Sequence, residues 1–319
     1  MKRMKYAAYA AAAMLCLAMT GCSSGAQEST APRVEIAKIQ DEVIEPNTEG
    51  ADIQVLNLEN PIDYSYSSSN TDMTFDYKDG VWLDGMDASI PINQEKLQAM
   101  ADNFLKLHAV SSLEMPENLE DYGLNRGTYT LYITDSEQGS FDMVIGNQDA
   151  SGNYYLMIND EEVYTILPST VESMVFDYET LVIRDGLDLQ VTADDIESAS
   201  VTIGRETRSY NTSDAEAMAK IADGISNLKA SAYASYNATS QELASAELTE
   251  DTRVTFRAEV QVNGETRSLV VYIGTAADVD NSQRYVQIDG SNMIMMVDTP
   301  VVNNLLNMAI DEAETEAEE

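Results

Sequence analysis

Cysteine is nearly absent from this 319-residue chain, which has only Cys16 and Cys22. Cys16 falls in an apolar run that reads as a removable signal, so Cys22 is the only thiol left, and neither a disulfide framework nor a thiolate metal cluster can form. His108 is the single histidine, so a zinc site with several imidazoles is excluded and Ser-His-Asp chemistry would have to use this one ring. Gly-x-x-x-x-Gly-Lys and Gly-x-Gly-x-x-Gly runs are missing, which removes the usual sequence signs of nucleotide binding. Basic residues are scarce, 18 against 55 acidic ones. Such a surface repels phosphate backbones, so nucleic acid is not an expected partner. The one long apolar run, Tyr6 to Thr20, is shorter than the ~20 residues of a membrane span and fits the core of a secretory signal.

What is present begins with that run. Lys2, Arg3 and Lys5 precede it, and it leads into Leu17-Ala18-Met19-Thr20-Gly21-Cys22, which resembles a bacterial lipobox with Met19 where leucine is preferred. The expectation is a signal peptide over 1–21 and a diacylglycerol with acyl chain on Cys22, the lipid-attachment residue. One acyl chain holds a protein only marginally, so the diacylglycerol carries the anchoring. Three basic and no acidic residues fall in 1–21, leaving 15 against 55 and a formal net charge of −40. The chain is expected outside the cytoplasm, at the cell surface or facing the periplasm, with the membrane as its first partner.

Residues 22–50 are polar, carry Pro32 and Pro46 and lack apolar periodicity, which reads as a flexible tether. The acidic run 311–319 repels itself and reads as a disordered tail. Between them the sequence repeats. Asp52-Ile53-Gln54-Val55 returns as Asp188-Leu189-Gln190-Val191. Leu97, Met100, Ala101, Phe104 and Leu105, behind an Asn93 cap, have the spacing of one helical face, extended by the same count to His108. Met218, Ile221, Ala222 and Ile225 repeat it, with Ser213 and Glu216 as a capping box. Leu119 and Leu124 match Leu243 and Leu248; Ile145-Gly146 matches Ile273-Gly274; Tyr154-Tyr155-Leu156 matches Arg284-Tyr285-Val286. The fold class expected is therefore α+β, in two tandem related units over 51–183 and 184–310. Each is an antiparallel sheet of about four or more strands packed on an amphipathic helix.

The chain resembles a bacterial domain of unknown function numbered 4340. The residues that carry the likeness are Asp79-Gly80-Val81-Trp82-Leu83, the helix after Pro91, Leu119-Glu120-Asp121-Tyr122-Gly123-Leu124, Ile145-Gly146, Tyr154-Tyr155 and Val163-Tyr164. It covers 74–183 closely and 184–308 loosely, since the second half lacks the Trp and the Tyr-Gly-Leu turn. The resemblance implies an extracytoplasmic, membrane-anchored protein, in some cases encoded beside ABC-type transporters, and carries over no catalytic residues.

Candidate sites are few. The loops with Asp149 and Asn153, and with Asp278 and Asp280, hold oxygens that calcium could use, but Asn, Asp, Ser and Gly are also what turns require. Trp82 reads as a packing residue. The function expected is non-enzymatic: a displayed lipoprotein that binds an envelope protein partner, serving an envelope or ABC-type transporter complex. The alternative of another class is an envelope-polymer hydrolase, or a protein capturing glycan or cations. Besides the lipid, no cofactor is expected.

Overall fold

The computed structural model describes residues 29–43 and 48–307; Cys22 and the acidic run 311–319 lie outside them. The chain enters with β1 (Ala37–Ile39) and β2 (Ile53–Gln54). Period-two alternation then builds β3 (Pro61–Ser67), β4 (Asp72–Lys78) and β5 (Val81–Asp84). Tyr64 faces Phe75 across β3 and β4, and both side chains are buried. Asp79 and Gly80, with φ of 53° and 84°, form the left-handed two-residue turn that joins β4 to β5.

Helix α1 (Gln94–Leu105) starts where expected, with the Asn93 side chain accepting from the Lys96 N–H at 3.2 Å. Its buried face is Leu97, Met100, Ala101, Phe104 and Leu105. The helix ends there. Leu107 O accepts from Val55 N–H at 2.8 Å, drawing the chain into extended pairing, so His108 lies in β6 (His108–Ala109) against β2 rather than on the helical face. Then come β7 (Ser111–Leu113), a 3-10 turn over Leu119–Tyr122, β8 (Tyr129–Asp135), β9 (Gly139–Gln148), β10 (Tyr154–Ile158), β11 (Glu162–Ile166) and α2 (Pro168–Glu172). The first sheet has eight strands in the order β5-β4-β3-β8-β9-β10-β11-β7, every pair antiparallel. Tyr64, Trp82, Phe104, Ile133 and Ile145 belong to one core.

A 3-10 turn at Tyr178–Leu181 and β12 (Arg184–Gly186) lead to the second lobe. It contains β13 (Ile196–Ile203), β14 (Glu206–Asn211), α3 (Ala215–Ser226), β15 (Ala232–Ser235), α4 (Ser240–Ser245), β16 (Val254–Val262), β17 (Glu265–Ala276), β18 (Gln283–Ile288), β19 (Ile294–Asp298) and α5 (Thr299–Leu306). The second sheet has seven strands, β14-β13-β16-β17-β18-β19-β15, again antiparallel throughout. Apart from β5, the two sheets follow one plan in the same sequence order. Phe256, Val271, Ile221 and Leu305 sit in the second core, with α3 and α5 on it.

The expected capping box at Ser213 is not formed. The Ser213 hydroxyl donates instead to Asn211 Oδ1 at 2.7 Å, and the helix begins one residue later behind Asp214. The Tyr-Gly-Leu turn, by contrast, keeps its shape in the second lobe. Leu124 N–H bonds Leu119 O at 2.9 Å and Leu248 N–H bonds Leu243 O at 2.8 Å, while Glu247 takes the left-handed place of Gly123, with φ of 55° against 69°. The helix contacts differ in chemistry between lobes. Asn103 of α1 donates to Ser173 Oγ at 2.7 Å, whereas Gly224 of α3 leaves room for Leu305, whose backbone N would stand 2.8 Å from an added Cβ.

Candidate functional site

The segment expected to be a loose tether is in part a strap on the second lobe. Ser268 N–H donates to Pro32 O at 2.8 Å and Val34 N–H to Ser268 O at 3.0 Å, filling the edge of β17 ahead of the point where β18 begins to pair with it. Farther on, β1 pairs antiparallel with β12, Ala37 against Gly186 and Ile39 against Arg184. Gly186 is required there, because Ile39 Cδ1 lies 2.5 Å from the place of a Cβ. Charges alternate along the strap and meet their opposites. Arg33 pairs with Asp289 at 3.0 Å, Glu35 with Arg267 at 3.4 Å, Lys38 with Asp185, and Asp41 with Arg184 at 3.0 Å and Lys96 at 4.0 Å. These partners are far apart in sequence, and apolar periodicity carries no trace of them.

The strap runs along the junction of the lobes. Asp84, buried at the end of β5, accepts the N–H groups of Met86 and Asp87 at 2.8 and 2.7 Å and the Tyr178 hydroxyl at 2.8 Å. The Tyr178 ring meets Tyr236 edge-on at 6.0 Å, and Tyr236 stacks on Tyr233 at 5.6 Å. Tyr236 packs against the first core and Tyr233 against the second, so the three rings bridge the lobes. Tyr233 OH donates to Asp185 O at 2.6 Å, and Ser291 Oγ donates to the Asp185 carboxylate at 2.7 Å. Burial pushes the Tyr233 phenol up to about 12. It also raises those of Tyr178 and Tyr236, with the bond to Asp84 adding to the first. All three stay protonated at neutral pH and act as donors and ring surfaces.

Beside them lies a recess of about 550 Å³ bounded by Lys38, Glu179, Arg184, Asp188, Lys229 and Tyr233. Burial raises the Glu179 carboxyl, against the pull of Arg184. Arg184 Nε is buried without a hydrogen-bond partner. The recess thus offers ion pairing, hydrogen bonds and an aromatic wall, a set suited to holding a polar group. Lys229 lies here, in the stretch after α3, while His108 after α1 lines a different recess, of about 720 Å³ beside α1.

The structure separates the other residues singled out from sequence. Asp149 Oδ1 accepts the N–H groups of Ser151 at 2.8 Å and Asn153 at 2.9 Å, so it ties its own hairpin turn. Asp278 does the same for Ser282, and that bonding holds its carboxyl below the usual carboxylate range. Asp280 is exposed next to it. Among the described residues no three His, Cys, Asp or Glu side chains converge as a metal cluster. Trp82 is buried, with its indole N–H on Gln98 Oε1 at 2.9 Å and its ring 4.8 Å from Tyr77. No described helix is long and apolar enough to cross a membrane.

No curated protein and no solved structure matches the chain. One family model does, starting after β5 and running into the second lobe as far as the end of β14, a different span from the 74–183 that the sequence likeness favours. Residues 86–213 match the family described as Domain of unknown function (DUF4340), and that stretch is a DUF4340 domain.

Proposed function

We propose that this protein is a lipoprotein held outside the cytoplasm by lipid on Cys22, and that two diverged copies of one α+β module form a non-enzymatic body that binds an envelope protein, in an envelope or transporter complex. The observation that carries this reading is the strap. It ties the membrane end of the chain to the second lobe and lies along the junction recess. Ala31 follows Cys22 by nine residues, and at ~3.3–3.6 Å per residue an anchor on Cys22 keeps the start of the strap within about 30 Å of the bilayer. Duplication is supported by the shared strand order and by two glycines in equivalent strands. A Cβ on Gly146 would stand 2.2 Å from Tyr122 O and one on Gly274 1.9 Å from Ala246 O, so each lobe seats the same turn on the same strand. The junction rings and ion pairs hold the lobes with ordinary hydrogen-bonding groups, which fits an accessory protein.

Crosslinking in intact cells, followed by purification from solubilised membranes, tests the reading. A single stoichiometric protein partner is the expected result. Retention on glycan or peptidoglycan with no protein partner would overturn it.

A further inference from the structure

The matching turns of the two lobes differ at one place that matters for binding. Tyr122 and Ala246 correspond, because their carbonyls press on equivalent glycines and each lies two residues before the leucine that closes its turn. Tyr155 and Tyr285 also correspond. The residue after each pairs with the isoleucine of the Ile-Gly signature, Leu156 with Ile145 and Val286 with Ile273. In the first lobe the Tyr122 ring fills the space over Tyr155, with ring centroids 4.7 Å apart at 74°. Edge-to-face pairs of this kind are favourable beyond the area they bury, because the positive ring edge meets the negative ring face.

In the second lobe Tyr285 faces Ala246 instead. A recess of about 450 Å³ opens there, walled by Tyr285, Ile294, Ala246 and Ala234. Its size falls within the ~300–1,000 Å³ of small-ligand sites. Glu242 stands at its rim beside Thr239, and the recess is lined by no lysine or arginine. Bonds from the Thr239 backbone and hydroxyl hold the Glu242 carboxyl below its usual range, so it is charged at neutral pH.

We infer that this recess receives an aromatic side chain of a partner protein, presented next to a lysine or arginine. The first lobe supplies the occupant's chemistry, since its own Tyr122 ring lies in the equivalent space against the equivalent tyrosine. Glu242 and the strongly acidic body supply the charge preference. The inference rests on the reading that the protein binds a protein partner, and adds where that contact is made and with what residue types.

The probes are tyramine, a phenol with a cation, and 3-(4-hydroxyphenyl)propionate, a phenol with an anion. Each is titrated into the methyl-labelled full chain while the Ile294 methyl resonances are followed. Tyramine is expected to give a saturable ring-current shift at lower concentration than the propionate, with the gap narrowing as salt rises. In Ala246→Tyr the introduced ring fills the space and the saturable shift is lost; Tyr285→Leu, which removes the wall from the other side, loses it too and covers the case of an A246Y chain that does not fold. An Ile294 signal that does not saturate with tyramine, or an A246Y chain that folds and titrates like the wild type, would overturn the inference. The crosslinking experiment keeps the two readings apart. A partner captured equally by wild type and folded A246Y sinks the recess as the contact and leaves the binding function standing. Absence of any partner sinks the binding function, and the tyramine titration still decides the aromatic preference of the recess.

Discussion

Gly274→Ala is the sharpest structural perturbation available, because it acts where α4 is seated on β17. The added Cβ would stand 1.9 Å from the Ala246 carbonyl oxygen, and such contacts are essentially never below 3.0 Å, so the turn must lift by more than an ångström. That movement breaks the bond from Thr275 N–H to the same oxygen, now 3.0 Å. A lost hydrogen bond costs about 0.5–1.5 kcal/mol and overpacking typically costs about 1–3 kcal/mol. Together a loss of about 2–4 kcal/mol is expected. At roughly 2–4 °C per kcal/mol for domains of this size, Tm should fall by about 5–15 °C. Thermal and urea unfolding of the full chain, with Gly146→Ala in parallel, give the reading. A G274A chain within about 0.5 kcal/mol of the wild type would refute the close seating of α4 and, with it, the equivalence of the two turns.

Two further outcomes are expected. Asp135, buried at the end of β8, accepts backbone N–H bonds from Asn60, Glu137 and Gln138 at 2.8, 2.8 and 3.0 Å; Asp135→Ala leaves those donors unmet and should cost about 1–3 kcal/mol by urea denaturation. Burial raises this carboxyl, but the three bonds outweigh it and lower its pKa from 3.8. Its stabilising contribution is therefore full above that value and lost as pH falls through the lower folded value, so the D135A deficit measured at neutral pH should shrink only in strongly acidic buffer. In the strap, each ion pair contributes about 0–1 kcal/mol and weakens as the screening length shortens from about 10 Å at 0.1 M salt to about 3 Å at 1 M. Amides in 34–39, and that of Ser268, which donates to Pro32 O, should then exchange several-fold faster at high salt while those of β16 are unchanged; equal protection at both salts would show that charge does not hold the strap.

Legibility in the sequence followed the range of the interactions. Asn93 as a cap and the buried face of α1 were readable because capping and helical spacing are local. The Ile-Gly pairs were readable as a repeated signature, but the reason for the glycine, a carbonyl pressed against the strand, is a contact between segments some 20 residues apart or more. The eight and seven strands agree with antiparallel sheets of about four or more, and the strands that alternation could not reveal are short edge ones such as β7 and β15. His108 has a spacing that fits the helix, yet long-range pairing of Leu107 with Val55 ends that helix before it. The strap was invisible for the same reason. Lys38 and Asp185 are 147 residues apart, and the polar, proline-bearing composition of 22–50 does not distinguish a docked strap from a free one. The Asp149 and Asp278 loops could be read as turns from composition, and their bonding follows from it. The tyrosine bridge could not be, since Tyr178 meets Tyr236, 58 residues on, only when the lobes do.

Intact mass of the full chain extracted from membranes of cells expressing it tests the anchor, and so the central claim, most directly. The mass should correspond to a chain starting at Cys22 and carrying a diacylglycerol and an acyl chain, and the Cys22→Ala chain should lack that lipid mass. An unmodified polypeptide mass for the membrane-extracted wild type, or a Cys22→Ala chain of unchanged lipid content, would contradict the account.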